Sequence, residues 1–151
     1  MIQKAPDFTL TDTAARLRMA IVRTARRLRQ EAAGEGTELT PTAGSALAAV
    51  ERHGPLTPSE LARIERIKRP TGTRILRVLL EAGLVDRAPD PDDRRSALVS
   101  VNAAGRERLR RMRGRKNAYL ARRMRDLPPD DIAALDRAAT ILEEILDGGE
   151  R

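Results

Sequence analysis

Apolar residues recur at helical spacing from the first third of the chain onward. Ala14, Leu17, Ile21, Ala25 and Leu28 predict one long amphipathic helix over residues 11–32, opening at Thr9-Leu10-Thr11-Asp12 and ended by Gly34-Glu35-Gly36. A second helix starts at Thr40-Pro41. Threonine accepts a hydrogen bond from an orphan N–H of the first turn, and proline suits a first-turn position whose N–H would go unpaired anyway. Ala46, Leu47 and Val50 form its inner face, and Gly54-Pro55 stops it, with His53 at its end. Thr57-Pro58-Ser59-Glu60 then reads as a capping box, followed by a short helix carrying Leu61, Ala62 and Ile64 and running to about Arg66. Lys68-Arg69-Pro70 restarts a helix, because proline disfavours the helical conformation in the residue before it. That helix runs to Ala82, with Gly83 as a left-handed stop and Leu84 folding back on the last turn.

The period then changes. Residues 84–88 and 97–101 read as strands around Pro89-Asp90-Pro91-Asp92-Asp93-Arg94-Arg95-Ser96, a run of turn formers and charges. Asn102 can cap the next helix, which is densely basic from Arg106 to Arg125. Leu127-Pro128-Pro129 breaks it. Asp130 and Asp131 suit the first turn of a last helix, where negative charge meets the positive end of the helix dipole. Ile132, Leu135, Ala139, Leu142 and Leu146 give that helix an alternating three-four spacing, and Gly148-Gly149 ends it.

The fold class is therefore mainly α with a small β-hairpin, an α+β arrangement. A short helix, a tight break and a longer helix form a helix-turn-helix whose second helix is shaped to enter the DNA major groove. On a helical wheel Gly72, Ile75, Leu76 and Leu79 share one side, while Pro70, Thr73, Arg74 and Arg77 share the other. Arginine can pair with guanine O6 and N7, and threonine can touch a phosphate or a thymine methyl. The alternative is a solvated helix face with chance arginines. The hairpin favours the first reading. Its charged tip, with Arg94 and Arg95, is a wing suited to the negative potential of a narrow minor groove, with Asp92 and Asp93 as local braces.

Composition narrows the field further. The chain has 151 residues, the length of one domain, and carries a net charge of +7. That excess favours a polyanionic partner, although a compositional bias toward arginine would also raise it. There is no cysteine and one histidine, so thiol chemistry, thiolate metal sites and a histidine-rich zinc cluster are excluded within one chain. Phe8 and Tyr119 are the only aromatics, too few for base stacking on a sheet. No apolar run has the length of a signal peptide or a membrane span, which points to a cytoplasmic protein. No catalytic residue, cofactor or metal is expected, and His53 reads as a helix-end histidine.

The stretch from Leu61 to Gly105, LARIERIKRPTGTRILRVLLEAGLVDRAPDPDDRRSALVSVNAAG, resembles the core of the MarR family. The match lies in the recognition helix, in L-x-x-x-G-L-V-x-R at Leu79 to Arg87, in D-x-D-D-R-R at Asp90 to Arg95, and in the small-residue turn at Asn102 to Gly105. The resemblance implies a single MarR-type domain over 1–151 with a winged helix-turn-helix lobe at 40–101. It places Thr71, Thr73, Arg74 and Arg77 in or near the major groove, makes Asp93 and Arg95 the wing signature pair, and sends Arg94 or Arg95 to the minor groove. Lys68 and Arg69 stand where the family often has a serine-like cap, and they could contact phosphates instead; Asn102 replaces a usual threonine but still caps.

The family resemblance also implies a homodimer built from helices 11–32 and 103–147, with Leu17, Ile21, Ile132, Leu135, Leu142 and Leu146 in the seam. Packing within one chain is the alternative. The function it implies is sequence-specific binding of double-stranded DNA at a pseudo-palindromic operator. A dimer there would repress by excluding polymerase and be released by a small organic, often phenolic, effector, with no membrane role. Two rivals stay open: a winged-helix protein that binds DNA without sequence preference, and a basic scaffold for anionic lipid or an acidic protein.

Overall fold

The computed structural model describes residues 9–33, 39–93 and 96–148. The elements in chain order are α1 (Leu10–Ala33), α2 (Pro41–His53), α3 (Pro58–Ile64), α4 (Arg69–Glu81), β1 (Val85–Pro89), β2 (Ala97–Val101), α5 (Ala103–Met124) and α6 (Pro129–Asp147). This is the helical winged-helix arrangement with a two-stranded antiparallel hairpin. The described residues fall into two compact units, one reaching Lys116 and one starting at Asn117. The glycine stop expected at Gly34-Glu35-Gly36 and the wing arginines Arg94 and Arg95 lie outside the described residues.

In the first unit, local chemistry sets each boundary. Thr40 Oγ1 accepts from the Ala43 N–H at 3.2 Å and starts α2. The capping box of α3 is complete: Thr57 Oγ1 accepts from the Glu60 N–H at 3.2 Å, and Glu60 Oε2 accepts from the Thr57 N–H at 2.7 Å. α4 ends in a paired turn. The Leu84 N–H donates to the Leu79 carbonyl at 3.0 Å and the Gly83 N–H to the Leu80 carbonyl at 2.9 Å, with Gly83 left-handed at φ 67°. α3 ends the same way one helix earlier: Ile67 N–H donates to Ala62 O at 2.9 Å and Arg66 N–H to Arg63 O at 3.3 Å, with Arg66 at φ 53°.

The core is one cluster. Ala43, Ala46, Leu47 and Val50 of α2 meet Leu61 of α3 and Ile75, Leu76 and Leu79 of α4, closed by Leu56, Val85, Val99 and Leu109. α3 and α4 approach closely because Gly72 has no side chain: a Cβ there would lie 3.1 Å from the Pro58 carbonyl oxygen. Across the hairpin Val85 faces Val101, Arg87 faces Val99 and Pro89 faces Ala97. Leu56 adds a third rung by exchanging two hydrogen bonds with Val99, at 2.9 and 2.8 Å, which the sequence reading did not foresee. Since Val99 spends both backbone groups on Leu56, its pairing with Arg87 is of the non-hydrogen-bonded kind, and so is that of Ala97 with Pro89. This explains why β1 extends through Pro89, expected in the loop: a missing N–H there interrupts no rung.

Asn102 ties hairpin, turn and helix together. Its Oδ1 accepts from the Gly105 N–H at 3.0 Å, capping α5, while its Nδ2 donates to the Gly83 carbonyl at 3.0 Å and to Asp86 Oδ1 at 3.1 Å. Gly105 must be glycine for the same junction, since a Cβ would sit 2.1 Å from the Leu84 carbonyl oxygen. Farther along, Arg113 of α5 pairs with Glu51 of α2. α1 is exposed along most of its length and buries Ala32 near its C-terminal end.

The second unit holds the last turns of α5 and α6. Arg122 and Arg123 lie 5.8 and 5.7 Å from the Tyr119 ring centre. No residue of α6 is buried.

Candidate nucleic-acid interface

α4 divides cleanly into two faces. Gly72, Ile75, Leu76 and Leu79 are buried, whereas Arg69, Pro70, Thr73, Arg74 and Arg77 are exposed and Thr71 is half-buried. Lys68 stands at the N-cap, where an ammonium has no lone pair to offer the first-turn N–H groups, and its side chain is exposed. Thr73 Oγ1 donates to the Arg69 carbonyl at 3.1 Å and keeps its acceptor lone pairs outward. Arg77 meets Glu81 at 3.7 Å with both side chains 69% exposed, a loose pair that a stronger anion displaces at little cost. Among the described residues no carboxylate holds Arg74.

Between this face and the hairpin lies a groove of about 300 Å³. Arg69, Thr73 and Arg77 form one wall, Arg87 and Ser96 the other, over a floor of Leu76, Leu80 and Val99. Arg87 lines this groove, a placement not expected from the sequence. The signal was available: Val85 is buried, and two residues on along a strand Arg87 shares its face, toward α4 rather than away from it.

In the described part of the wing a brace comes from Asp90, which accepts from the Asp92 N–H through Oδ1 at 2.9 Å; Asp92 contributes its backbone there rather than its carboxylate. The Asp93 carbonyl accepts from the Ser96 N–H at 2.9 Å, and the Asp90 N–H donates to Ser96 O at 3.3 Å. Asp93 itself is exposed at the tip. The backbone and hydroxyl hydrogen bonds from Thr57, helped by the charge of Arg63, hold the Glu60 carboxyl below its ordinary pKa against desolvation and the charge of Asp90.

Of the residues expected in a dimer seam, Leu17 and Ile21 of α1 are 38% and 44% exposed, Leu135 and Leu146 of α6 are 46% and 74% exposed, and Ile132 and Leu142 are half-buried. Among the described residues no group of His, Asp and Glu side chains could hold a metal ion, and no helix is long and apolar enough to cross a membrane.

A family model described as MarR family matches residues 37–96, which contain α2, α3, α4 and β1. An uncharacterized HTH-type transcriptional regulator of Mycobacterium leprae is 35% identical over 134 residues, covering 89% of this chain and 92% of its own. Among solved structures, a MarR family protein from Bacillus stearothermophilus superposes with a TM-score of 0.76 at 20% identity, over 93% of this chain and 99% of its own. A mutant of MepR from Staphylococcus aureus, solved bound to an oligodeoxyribonucleotide, gives 0.66 at 19% identity, over the same shares of each chain. With a relative of that identity and coverage, and with the MarR family model over residues 37–96, this chain belongs to the MarR family.

Proposed function

We propose that this transcriptional regulator reads double-stranded DNA as a homodimer, with α4 in the major groove and the hairpin over the adjacent minor groove. The observation that carries the reading is the exposed face of α4. Arg69, Thr73, Arg74 and Arg77 stand in solvent on a helix whose opposite face is locked into the core, so the donors are held in register by packing. Lys68 and Arg69 supply phosphate contacts at the N-terminus of α4, and Thr71 supports the turn. Asp93, Arg94 and Arg95 serve the wing's contact with DNA, and Arg87 lines the groove between α4 and the hairpin.

Dimerisation rests on the exposed apolar residues of α1 and α6, which a single chain leaves in water. Two-fold symmetry then calls for a pseudo-palindromic operator with half-sites roughly 10 bp apart. A dimer seated on a promoter represses by excluding polymerase. An effector site is favoured by a cavity of about 610 Å³ lined by Leu39, Ala82, Leu84, Ala104, Glu107, Arg108 and Arg111. Its size suits a small organic molecule, and its arginines suit a phenolate or carboxylate. A ligand there sits where α4 ends and α5 begins, so it can change the spacing of two recognition helices and release DNA.

The test is selection of bound duplexes from a randomised pool at near-physiological salt. Recovery of a pseudo-palindrome is the expected result. A pool that stays random overturns specific readout and favours DNA binding without sequence preference; no retained duplex at all favours the scaffold alternative.

A further inference from the structure

The chain builds the same turn twice and fills it differently. α3 and α4 both end in a residue of left-handed backbone flanked by the same two crossed hydrogen bonds, Arg66 at φ 53° and Gly83 at φ 67°. Glycine adopts this conformation freely, whereas a side chain brings Cβ against the neighbouring carbonyl. Gly83 has open space around it and still uses glycine. At the turn of the helix-turn-helix the chain tolerates strain to keep an arginine. A strained residue kept in place points to a role for its side chain.

The surroundings say which role. Arg66 is exposed, and among the described residues no hydrogen bond or ion pair engages its guanidinium. The adjacent carboxylate is engaged on the α2 side, where Glu65 Oε2 accepts from Ser45 Oγ at 2.7 Å. Ile67, next along, is tucked against the core, which leaves Arg66 and Lys68 to flank it outward. Arg66 stands two residues before the N-cap of α4, within about 7 Å of Lys68 along the chain. Arg63, Arg66, Lys68 and Arg69 thus form an exposed cationic edge beside the end of the helix that enters the groove.

We infer that Arg66 is a DNA phosphate contact, held by its left-handed backbone at the helix-turn-helix turn, and that the strain at this position is retained for that contact. The inference rests on the proposed DNA reading. It makes stability and binding move in opposite directions when the side chain is removed, which a purely structural residue would not do.

The experiment compares the parent chain with Arg66→Gly and Arg66→Lys by thermal unfolding and by binding across a salt series. The probes are a duplex recovered from the randomised pool and the unselected pool itself. Arg66→Gly is expected to raise Tm by roughly 1–4 °C, because glycine relieves the strain. It is expected to weaken binding to both probes on the order of tenfold, and to reduce the slope of log affinity against log salt by about 0.9, the share of one phosphate. Arg66→Lys should keep the slope of the parent. Arg66→Gly binding as the parent does, with the same slope, overturns the phosphate contact while leaving the DNA reading standing. A fall in Tm for Arg66→Gly overturns the role of strain. A parent chain that retains neither probe overturns the DNA reading and this inference with it.

Discussion

The lobe and the helices that flank it use the same apolar residue types to opposite ends. Leu47, Leu61 and Leu79 are completely buried, while Ile141, Ile145 and Leu146 of α6 are 53%, 62% and 74% exposed. The lobe is closed: three helices, a hairpin, the Leu56 rung and Leu109 of α5 consume one another's apolar faces and leave only polar side chains on the outer face of α4 apart from Pro70 and Val78. α1 and α6 carry stripes with comparable periodicity that find no such closure within one chain. The difference separates the residues that make the fold from those available to bring two copies together, and mutations should divide along the same line.

The largest effect should come from the lobe. Leu79→Ala removes a fully buried side chain from the centre of the cluster and should cost about 2–5 kcal/mol in urea unfolding. Leu146→Ala, on the exposed side of the comparison, should change the stability of the lobe by less than ~0.5 kcal/mol. The comparison fails if the two substitutions prove equally damaging. Conversely, Ile141→Asp with Ile145→Asp should shift sedimentation equilibrium toward monomer, raising the dimer Kd on the order of a hundredfold or more. An unchanged molecular mass would remove α6 from the seam.

Gly105→Ala tests the junction where lobe and flanking helix meet. The added Cβ would have to displace the Leu84 backbone, for a loss of about 1–3 kcal/mol or more in thermal or denaturant unfolding. A neutral result would mean that α5 can shift without disturbing β1.

Thr57→Ala removes a smaller, local contribution, about 1 kcal/mol. The same capping box gives a pH signature. The folded-state pKa of Glu60 lies below its ordinary 4.5, so its contribution is present above that value and fades as the pH falls through the lowered one. Glu60→Gln should therefore be less stable than the parent near pH 7, with the gap narrowing in acid. A gap that stays constant across that range would separate the box from the ionisation of Glu60.

Much of this was readable from the residues alone, for identifiable reasons. Thr40, Thr57 with Glu60, Gly83 and Asn102 act through neighbours at most a few positions away, so their chemistry marked the helix ends. The two faces of α4 followed from its period. What escaped depended on contacts distant in sequence. Leu56 became a rung only because β2 lies beside it, and the second role of Asn102, toward Gly83 and Asp86, required the folded junction. Arg87 was visible in the alternation along β1 but gained meaning only with α4 opposite. A left-handed arginine such as Arg66 has no signature in the sequence. The bracing carboxylate of Asp90 has a local cause, since an aspartate side chain can turn back onto the backbone two residues on.

The central claim is that the outward face of α4 reads base sequence. The most direct measurement is the ratio of affinities for a selected duplex over random duplex, for the parent and for Arg77→Ala, at one near-physiological salt concentration. Loss of one base contact should lower the selected-duplex affinity by about 1–3 kcal/mol and leave random-duplex binding much less affected, so the ratio falls. An unchanged ratio would contradict the assignment of this face to base readout.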